Sequence, residues 1–286
     1  MLYIIAYHVI WGNEFIKYCD TYKDAIDWLK FLTGSNLRIR ILLSLNEGVK
    51  DLKCLKSDTG ATSSTILHAI GKMVDKNQLI KGKDGYYLTH LGKIQAVLLI
   101  DIINSFGTLY THKEFWLDHN VQGIPEPLIK QIGYLSDSTV VRATTTNPLK
   151  PFSSLIKALS DAKEVKGVFP IFHKDFIETG EKLLERGVNI WLVITEEVFD
   201  TLRDEYKDRL KNMLQKENFK LWVIDEDVKE FFTITDSSIL FSLFSNRGVF
   251  DLSSQLVSHS DEAILWGYEL FEYYRKRAKI VKMEDV

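Results

Sequence analysis

The sequence predicts an α+β or α/β chain in two parts, a small helical domain with a β-hairpin and a larger domain of alternating strands and helices. Residues 35–92 contain three helical segments followed by two short extended segments, and residues 138–280 alternate between strand and helix patterns. The chain is 286 residues long, which suits about two domains. Charge also changes along the chain, because residues 34–93 carry ten Lys/Arg against five Asp/Glu while the whole chain is at −3.

We expect three segments. Residues 1–93 would hold an N-terminal helical segment and the hairpin-bearing domain, residues 94–135 a helical linker or dimerisation segment, and residues 136–286 an α/β domain that ends in an amphipathic helix. A basic segment of about 60 residues joined to an acidic remainder is typical of a protein that binds nucleic acid on one side only.

No membrane partner is predicted. The apolar residues 1–12 are too short for a span, and we expect an N-terminal packing segment there, with an extended translation start as the alternative. Polar side chains interrupt residues 94–106 at Gln95, Asp101 and Asn104. The two cysteines, Cys19 and Cys54, are too few for a disulfide framework or a zinc site, so no metal or cofactor is expected. Such cysteine usage favours a reducing, cytoplasmic compartment.

The elements of the first domain follow from local signals. Residues 20–33 have apolar side chains at helical spacing, and three further helices follow. The first of these three starts after the N-cap candidate Ser35 and ends at Gly48. A short helix and a turn at residues 58–60 lead to a third helix, which Asn77 closes. The third helix has an apolar stripe of Ile66, Leu67, Ile70, Met73 and Val74. Asp84 and Gly85 then form the turn of a β-hairpin.

Helix, short helix, turn, helix and hairpin describe a winged helix-turn-helix. The face of the third helix opposite its stripe is small and polar enough to enter a major groove, and the hairpin lysines lie where a wing meets phosphate. The predicted DNA-binding residues are Thr62, Ser63, Ser64, Thr65, His68, Lys72, Lys81 and Lys83. A helical bundle that packs against a protein partner remains the alternative. The recognition face lacks arginine, so base contacts would come from Ser, Thr and His.

After residue 137 the pattern changes to alternating strands and helices. Strands are expected at residues 138–144, 165–172, 188–195 and 219–225, and helices at 151–162, 174–187 and 196–216. Residues 232–245 read as two antiparallel strands with a turn at Asp236–Ser237, and an amphipathic helix ends the chain. Such alternation indicates a largely parallel sheet.

Polar side chains at the ends of these strands are ligand candidates, because open α/β sheets bind ligands at the carboxyl ends of their strands. The candidates are Arg142, Thr144, His173, Thr195, Glu196 and Asp225. His173 would end the strand "GVFPIF", with Asp175 at the start of the next helix complementing its dipole. A helix cap or a solvated loop group is the alternative for each residue.

The letters H-K-D at residues 173–175 invite comparison with phospholipase D-type sites, whose pattern is H-x-K-x-x-x-x-D, usually in two copies. A strand places the histidine and a lysine two positions later on the same side. Here His173 and Lys174 are adjacent, and the pattern occurs once. The chain also lacks the nucleotide-binding motifs GxGxxG and the Walker loop, as well as the hydrolase motifs HExxH and GxSxG. We therefore predict that it is not an enzyme.

Several segments resemble one known family, the archaeal winged-helix regulators named for methanogenesis control, which carry an ArsR/MarR-like N-terminal domain. The resemblance covers about residues 20–280. It is carried by "FLTGSNLRIRILLSLNEG", "FWLDHNVQGIPEPLIKQIGYL", "GVFPIFHKDF", "RGVNIWLVITEEVF" and "LWGYELFEYYRKRA". The closing "ELFEYYR" is shared with TrmB-like sugar-responsive regulators. The family's helix-turn-helix pattern corresponds to Thr62, Ser63, Ser64, His68 and Lys72, whereas Asn77 stands where the family often has glycine.

The resemblance implies a homodimeric, cytoplasmic regulator of transcription that binds double-stranded DNA. It also implies a C-terminal sensor domain related to phospholipase D-like folds without their catalytic residues, responding to an unknown small-molecule or protein effector. The residues themselves point to two dimer interfaces, the helix at 94–106 and the terminal helix with Ile264, Leu265, Tyr268, Leu270 and Phe271. For the first of these helices, a buried position inside the monomer is the alternative. A phosphodiesterase or nuclease using His173 and a protein-interaction module on a winged-helix scaffold remain alternative functions.

Overall fold

The computed structural model describes residues 23–286, which form two compact units divided between Ile100 and Asp101. This division lies within the segment predicted as a linker. The expectations for residues 1–12, for Cys19 and for the start of the first helix lie outside the described residues. The two units are described separately below.

The first unit is built from helices that begin and end close to their predicted limits. They are α1 (Lys23–Thr33), α2 (Asn36–Asn46), α3 (Leu52–Thr59) and α4 (Ser63–Asp75). Ser35 caps α2 as predicted, because its side chain accepts a hydrogen bond from the backbone N–H of Arg38. Asn77 adopts a left-handed conformation with φ of 56°, which confirms it as the residue that ends the third helix.

A two-stranded antiparallel hairpin follows, formed by β1 (Leu79–Lys81) and β2 (Tyr86–Leu88). The backbone of Lys50 pairs with Tyr86, which ties the start of α3 to the hairpin. A side chain at Gly85 could not be accommodated, since its Cβ would lie 2.5 Å from the carbonyl oxygen of Lys50 and its φ is +142°. The hairpin turn predicted from Asp84–Gly85 therefore depends on glycine for space as well as for conformation.

The core of the first unit collects one face of each helix and the inner side of the hairpin. Ile41, Leu42, Leu55, Ile66 and Met73 are fully buried within it. The stripe predicted for α4 was partly wrong, because Leu67 and Val74 are exposed at 44% and 38% while Ala69 is buried. The two exposed side chains lie at the margins of the stripe, which the core does not reach.

The long helix α5 (His90–Thr111) runs through the division between the units. Among the described residues, 23–286, α5 is the one helix that is long and apolar enough to cross a bilayer by length and composition alone. The core helix of a soluble protein can pass the same test. Many of its apolar side chains are exposed, with Ile94 at 60%, Leu98 at 57% and Phe106 at 69%.

The second unit contains the remaining elements. Its helices are α6 (Lys113–Asp118), α7 (Glu126–Lys130), α8 (Lys150–Ser160), α9 (Lys174–Glu185), α10 (Glu196–Glu205), α11 (Lys207–Leu214) and α12 (Asp261–Arg275), with short 3₁₀ turns at Ile132–Leu135 and Met283–Asp285. Its strands are β3 (Thr139–Arg142), β4 (Glu164–Phe169), β5 (Asn189–Thr195), β6 (Phe219–Ile224), β7 (Glu230–Thr235), β8 (Ile239–Leu243), β9 (Ser254–Ser258) and β10 (Lys279–Ile280).

These strands form one eight-stranded sheet in the order β10-β6-β5-β4-β7-β8-β9-β3. The prediction of a largely parallel sheet was wrong. Only β4, β5 and β6 run parallel to one another, and the other neighbouring pairs in this sheet are antiparallel. A parallel strand needs a crossover connection of about a dozen residues or more. The connections from β6 to β7 at 225–229 and from β7 to β8 at 236–238 are shorter, so the chain reverses direction at each. The predicted β7–β8 hairpin is confirmed.

Three further boundaries differ from the prediction. β4 ends at Phe169 instead of residue 172, because Pro170 has no N–H with which to extend a central strand. The helix predicted at 196–216 is broken at Tyr206 into α10 and α11. The strands β9 and β10 had no predicted counterpart, since β9 is a short "SQLVS" whose polar residues are buried.

The sheet is covered on both faces. One face packs against α12 and the segment 115–135, and the other against α8, α9 and α11. Leu270 and Phe271 of α12 are fully buried, and Trp266 donates from Nε1 to the carbonyl oxygen of Leu128 at 2.9 Å. The terminal helix therefore buries most of its apolar face in the core of its own unit. This corrects the expectation that the helix forms a dimer interface. Only Leu265, at 50%, is largely exposed among the residues predicted there.

Candidate functional site

The N-terminal half of α4 presents a cluster of hydroxyl groups. Thr62 is the N-cap residue, and its Oγ1 lies 3.1 Å from Ser64 Oγ and 2.8 Å from Thr65 Oγ1. Ser63 is exposed beside them, and it is the first residue of the helix. This arrangement holds hydroxyls at the amino end of a helix, where they can donate to or accept from base edges and phosphates.

His68 and Lys72 continue the same face. They follow Ser64 at intervals of four residues, so the three side chains lie one above another along the helix. Both are exposed, while the neighbouring Ile66, Ala69, Ile70 and Met73 face the core. The side of α4 predicted to meet DNA is thus free within the first unit.

Lys81 and Lys83 lie on the hairpin, at the end of β1 and in the turn, and both side chains are exposed. Neither forms an ion pair with any carboxylate of the described chain. Each therefore keeps its full charge available to an external anion. All eight residues predicted to bind DNA share this exposure, and we call them the α4–hairpin face.

Other bases of the first unit are occupied by internal contacts. Arg40 donates from Nη1 to the carbonyl oxygen of Thr59 at 3.2 Å, next to the turn that precedes α4. Lys50 donates to both Glu47 and Asp58, and the hydrogen bond with Asp58 is the largest cause of its raised pKa. Sequence analysis counted these bases in the net charge without this distinction, because the pairing depends on how α2 and α3 pack.

The ligand candidates in the second unit separate into three places. Thr195, Glu196 and Asp225 come together in a cleft of about 480 Å³ at the carboxyl ends of β5 and β6. That convergence is the behaviour expected of parallel strands. The cleft is acidic, since Glu197 and Asp227 also line it. Within the described residues, no group of three or more His, Cys, Asp and Glu side chains could hold a metal ion.

Arg142 and Thr144 lie elsewhere. β3 is the edge strand of the sheet and stands four positions from β4, on the order of 19 Å at the usual strand spacing. Arg142 donates from Nη2 to Glu114 at 3.3 Å, and Thr144 caps a turn by accepting a hydrogen bond from the backbone N–H of Asn147 at 3.0 Å. Contacts within the chain therefore account for both residues.

His173 occupies a third place. It is the N-cap of α9, and its Nδ1 accepts a hydrogen bond from the backbone N–H of Asp175 at 3.3 Å. It stands in the loop after β4, which corrects its predicted position at the end of that strand. Its ring lies 5.7 Å from the ring of Phe152 and 5.8 Å from that of Phe176, measured between centroids. Lys174 and Asp175 are the first residues of α9, where Asp175 lies in the first turn as predicted.

This histidine lines a pocket of about 430 Å³, bounded by α8, the loop before α9, and the strands β7, β8 and β9. Most residues of its lining were not predicted. Phe152 lay in the predicted helix 151–162 without being singled out, and Phe231 lay just before the strands predicted at 232–245. Gln255 lies on β9, a strand that no sequence pattern indicated, and its contribution depends on the pairing of β9 with β8.

A partly buried pair, His119 and Asp251, lies at one wall of this pocket. His119 donates from Nδ1 to the carbonyl oxygen of Phe115 at 2.6 Å, and its Nε2 lies 3.0 Å from Asp251. Burial lowers the pKa of His119, but the hydrogen bonds to Asp251 and Phe115 outweigh it and leave the pKa raised. Burial raises the pKa of Asp251, and hydrogen bonds from His119, Ser253 and Ser254 reverse this to a low pKa. Acceptors beside both ring nitrogens of His119 favour its charged form.

Comparison with known proteins places the chain among regulators. The sequence model described as "Methanogenesis regulatory protein FilR1, N-terminal domain" matches residues 26–106, and that of the "middle domain" of the same protein matches residues 148–277. The chain is 31% identical over 269 residues to the methanogenesis regulatory protein FilR1 of Methanothrix harundinacea (strain 6Ac). The match covers 92% of this chain and 60% of that protein, so the chain spans less than two thirds of its relative.

Two solved structures are distantly similar. One is described as TrmBL2, an archaeal chromatin protein with a novel mode of DNA binding, at 16% identity and a TM-score of 0.42, covering 86% of this chain and 93% of that one. The other is NucT from Helicobacter pylori, at 15% identity and a TM-score of 0.39, covering 50% of this chain and 97% of that one. The family is assigned from the two matched domain models and the aligned relative, and not from these two structures. The chain belongs to the FilR1 family of methanogenesis regulatory proteins.

Proposed function

We propose that the chain is a cytoplasmic, DNA-binding regulator of transcription that acts as a homodimer and responds to a signal received by its second unit. The observation that carries the proposal is the α4–hairpin face, where hydroxyls, a histidine and unpaired lysines are all exposed on a segment with ten bases and five acids. Membership of a family of regulatory proteins supports it and favours a regulator over an enzyme.

The roles of the face residues follow from their chemistry. Ser64, Thr65 and His68 would enter the major groove and contact base edges, since their short side chains let the helix approach closely. Lys72, at the far end of the helix, and Lys81 and Lys83 on the hairpin would contact phosphates on either side of the groove.

The test is binding of the full chain to DNA fragments from the promoter of its own operon, followed by fluorescence anisotropy across a salt series. Lys81→Ala plus Lys83→Ala is expected to weaken binding to all fragments and to lower the slope of log affinity against log salt by about two, one unit for each lost phosphate contact. Ser64→Ala plus His68→Ala is expected to reduce only the preference for the operator.

The matched control is Lys182→Ala plus Lys216→Ala, a pair of exposed lysines on the second unit. Both double variants lose two positive charges, so a general effect of net charge would appear equally in both. An unchanged salt slope in the hairpin variant, or equal losses in the two variants, would remove the hairpin from the interface. Binding of promoter fragments no better than random DNA would overturn the regulator proposal.

The dimer would form through α5. Leu91, Ile94, Leu98, Ile102 and Leu109 lie within a narrow arc of that helix, and each is at least 40% exposed. An exposed apolar stripe of this length is typical of a helix that pairs with another. Light scattering at micromolar concentration is expected to give twice the chain mass, and Leu98→Asp plus Ile102→Asp is expected to give a folded monomer. A wild-type chain that is already monomeric would refute the dimer.

A further inference from the structure

The 430 Å³ pocket of the second unit has a size and lining that limit what it can bind. Ligand sites for small molecules usually have volumes of about 300–1,000 Å³ and mostly apolar walls with a few fixed polar groups. A cavity of roughly 150 Å³ holds one benzene molecule, so this pocket has room for a body of about two or three rings.

Five phenylalanines and His173 contribute aromatic rings to its wall. Phe231, on β7, lies 5.5 Å from Phe250 and 5.8 Å from Phe176, measured between ring centroids. Phe152 on α8 stands across from them, 6.3 Å from Phe176 and next to His173. The rings come from two helices, a strand and the loop before β9, so the fold brings them together around a space that none of them fills. Such a wall favours a flat apolar or aromatic ligand.

The floor of the pocket carries two polar side chains, Ser242 and Gln255, beside Phe231. Phe231, Ser242 and Gln255 lie side by side on β7, β8 and β9, because Phe231 pairs with Ser242 and Gln255 donates from Nε2 to Ser242 Oγ at 3.3 Å. Gln255 is only 3% exposed, and its Oε1 has no hydrogen-bond partner in the described chain. A buried amide oxygen without a donor is costly, so a ligand N–H or O–H at this position would be strongly favoured.

Charge in the ligand is disfavoured. None of the described residues that line the pocket is lysine or arginine, so an anion would have no fixed cation to meet. The Asp251 carboxylate is not available to a cation either, because it accepts hydrogen bonds from His119, from Ser254 Oγ and from the backbone and side chain of Ser253. The second carboxylate of the lining, Asp175, lies 3.7 Å from His173 Nδ1. Most of the other lining residues are apolar, and an unpaired charge would lose its hydration beside them.

We propose that this pocket binds an uncharged, largely apolar small molecule of two- or three-ring size that donates one hydrogen bond to Gln255 Oε1. Its rings stack among Phe152, Phe176, Phe231 and Phe250, and its donor reaches the floor. The proposal that the pocket binds such a molecule depends only on these contacts and not on the proposed function. That the bound molecule is the signal that alters DNA binding rests on the proposed function.

The experiment uses N-phenyl-1-naphthylamine, an uncharged probe with two aromatic parts and one N–H, whose fluorescence rises in apolar sites. Its N-methyl derivative lacks the donor, and 8-anilinonaphthalene-1-sulfonate adds a negative charge. We expect the full-length chain to bind the first probe with 1:1 stoichiometry, the N-methyl derivative about fivefold more weakly, and the anionic probe more weakly still.

Variants locate the probe. Phe152→Asp places a charge in the aromatic wall at a half-buried position and is expected to weaken binding at least tenfold. Gln255→Leu is expected to abolish the preference for the probe with the N–H while keeping binding of the N-methyl derivative. Phe106→Ser is the matched control, since this phenylalanine is 69% exposed on α5 and lies outside the pocket. Circular dichroism and the thermal midpoint verify that each variant is folded.

The outcomes are distinct. Absence of 1:1 binding, binding lost equally in Phe106→Ser, or tighter binding of the anionic probe would overturn the proposal. A preference for the N–H that survives in folded Gln255→Leu would remove the role of that amide and overturn the ligand class. These measurements contain no DNA. A chain that binds the probe but no promoter fragment refutes the proposed function alone, and one that binds promoter DNA but no probe refutes the pocket alone.

Discussion

Tyr274→Phe removes the hydroxyl group that contacts the buried Glu230, and it should show whether the carboxyl group of Glu230 is hydrogen-bonded and how its protonation affects stability. Glu230 is fully buried on β7, and Tyr274 on α12 is 3% exposed. The tyrosine hydroxyl donates to Glu230 Oε2 and lies 3.1 Å from the carbonyl oxygen of Gly123. Burial raises the pKa of Glu230, and the hydrogen bond from Tyr274 acts in the opposite direction by stabilising the charged form.

The expected magnitude follows from these contacts. Loss of a hydrogen bond to a buried acid, without a replacement partner, costs about 1–3 kcal/mol of unfolding free energy. For a unit of this size each kcal/mol moves the thermal midpoint by about 2–4 °C, so a loss of about 2 kcal/mol corresponds to about 4–8 °C.

The dependence on pH has a defined sign. Because the pKa of Glu230 is raised in the folded chain, the folded state binds the proton more tightly, and stability falls as pH rises from the unfolded value of 4.5 through the folded pKa. Removing the tyrosine hydroxyl raises that folded pKa further. The deficit of Tyr274→Phe relative to wild type should therefore be larger at pH 8 than at pH 4.

Urea unfolding, followed by tryptophan fluorescence, to which the fully buried Trp266 contributes, measures both effects. Tyr273→Phe is the control, since this neighbouring tyrosine is only half-buried, and the change should stay within about 0.5 kcal/mol of wild type. A deficit below about 0.5 kcal/mol for Tyr274→Phe, or one that shrinks as pH rises, would refute the assignment of a buried, hydrogen-bonded carboxyl.

Three further changes test other contacts. Gly123→Ala places a Cβ 2.1 Å from Glu230 Oε1 and is expected to lower stability by about 1–3 kcal/mol in urea unfolding. Gly85→Ala forces an unfavourable conformation at φ +142° and should lower the thermal midpoint of the first unit while leaving that of the second unchanged. His119→Gln removes the charged partner of Asp251. Since the pKa of His119 is raised, its contribution is complete below pH 6.5 and is lost as pH rises through the folded pKa, so the difference from wild type should be larger at pH 5.5 than at pH 8.5.

Each of these changes has an outcome that would contradict it. Gly71→Ala is the control for both glycine variants, because its Cβ would meet no atom within 4 Å and alanine favours a helix. A loss at Gly71 equal to that at Gly123 or Gly85 would show that lack of space is not the cause. A His119→Gln deficit that is constant between pH 5.5 and 8.5 would show that the imidazole is not charged in the folded chain.

Local signals predicted the first unit well. Ser35 as a cap, Asn77 as a left-handed terminator and Asp84–Gly85 as a turn each depend on the chemistry of one or two residues. The periodicity of α4 was also visible, but the positions of Leu67 and Val74 depend on how wide the surrounding core is. Such limits are set by partners that are distant in sequence.

The second unit was harder to predict for the same reason. Alternation located its central strands, but the antiparallel half of the sheet is decided by connection lengths and by which strand is free to pair. The ligand candidates at strand ends were a reasonable inference for a parallel sheet, and Thr195, Glu196 and Asp225 do meet. The pocket beside His173 is formed by Gln255 and Phe231, whose neighbours are known only once β7, β8 and β9 are aligned.

The order of the sheet has a consequence for how the protein avoids aggregation. An open sheet of eight strands has two edges whose free N–H and C=O groups can recruit a strand from another molecule. Here one edge is β10, only two residues long and beginning with Lys279. The other is β3, four residues long and ending in Arg142. Strands this short and charged are poor templates for fibril growth. The two edges of the sheet can therefore stay open without pairing with the sheet edges of other molecules.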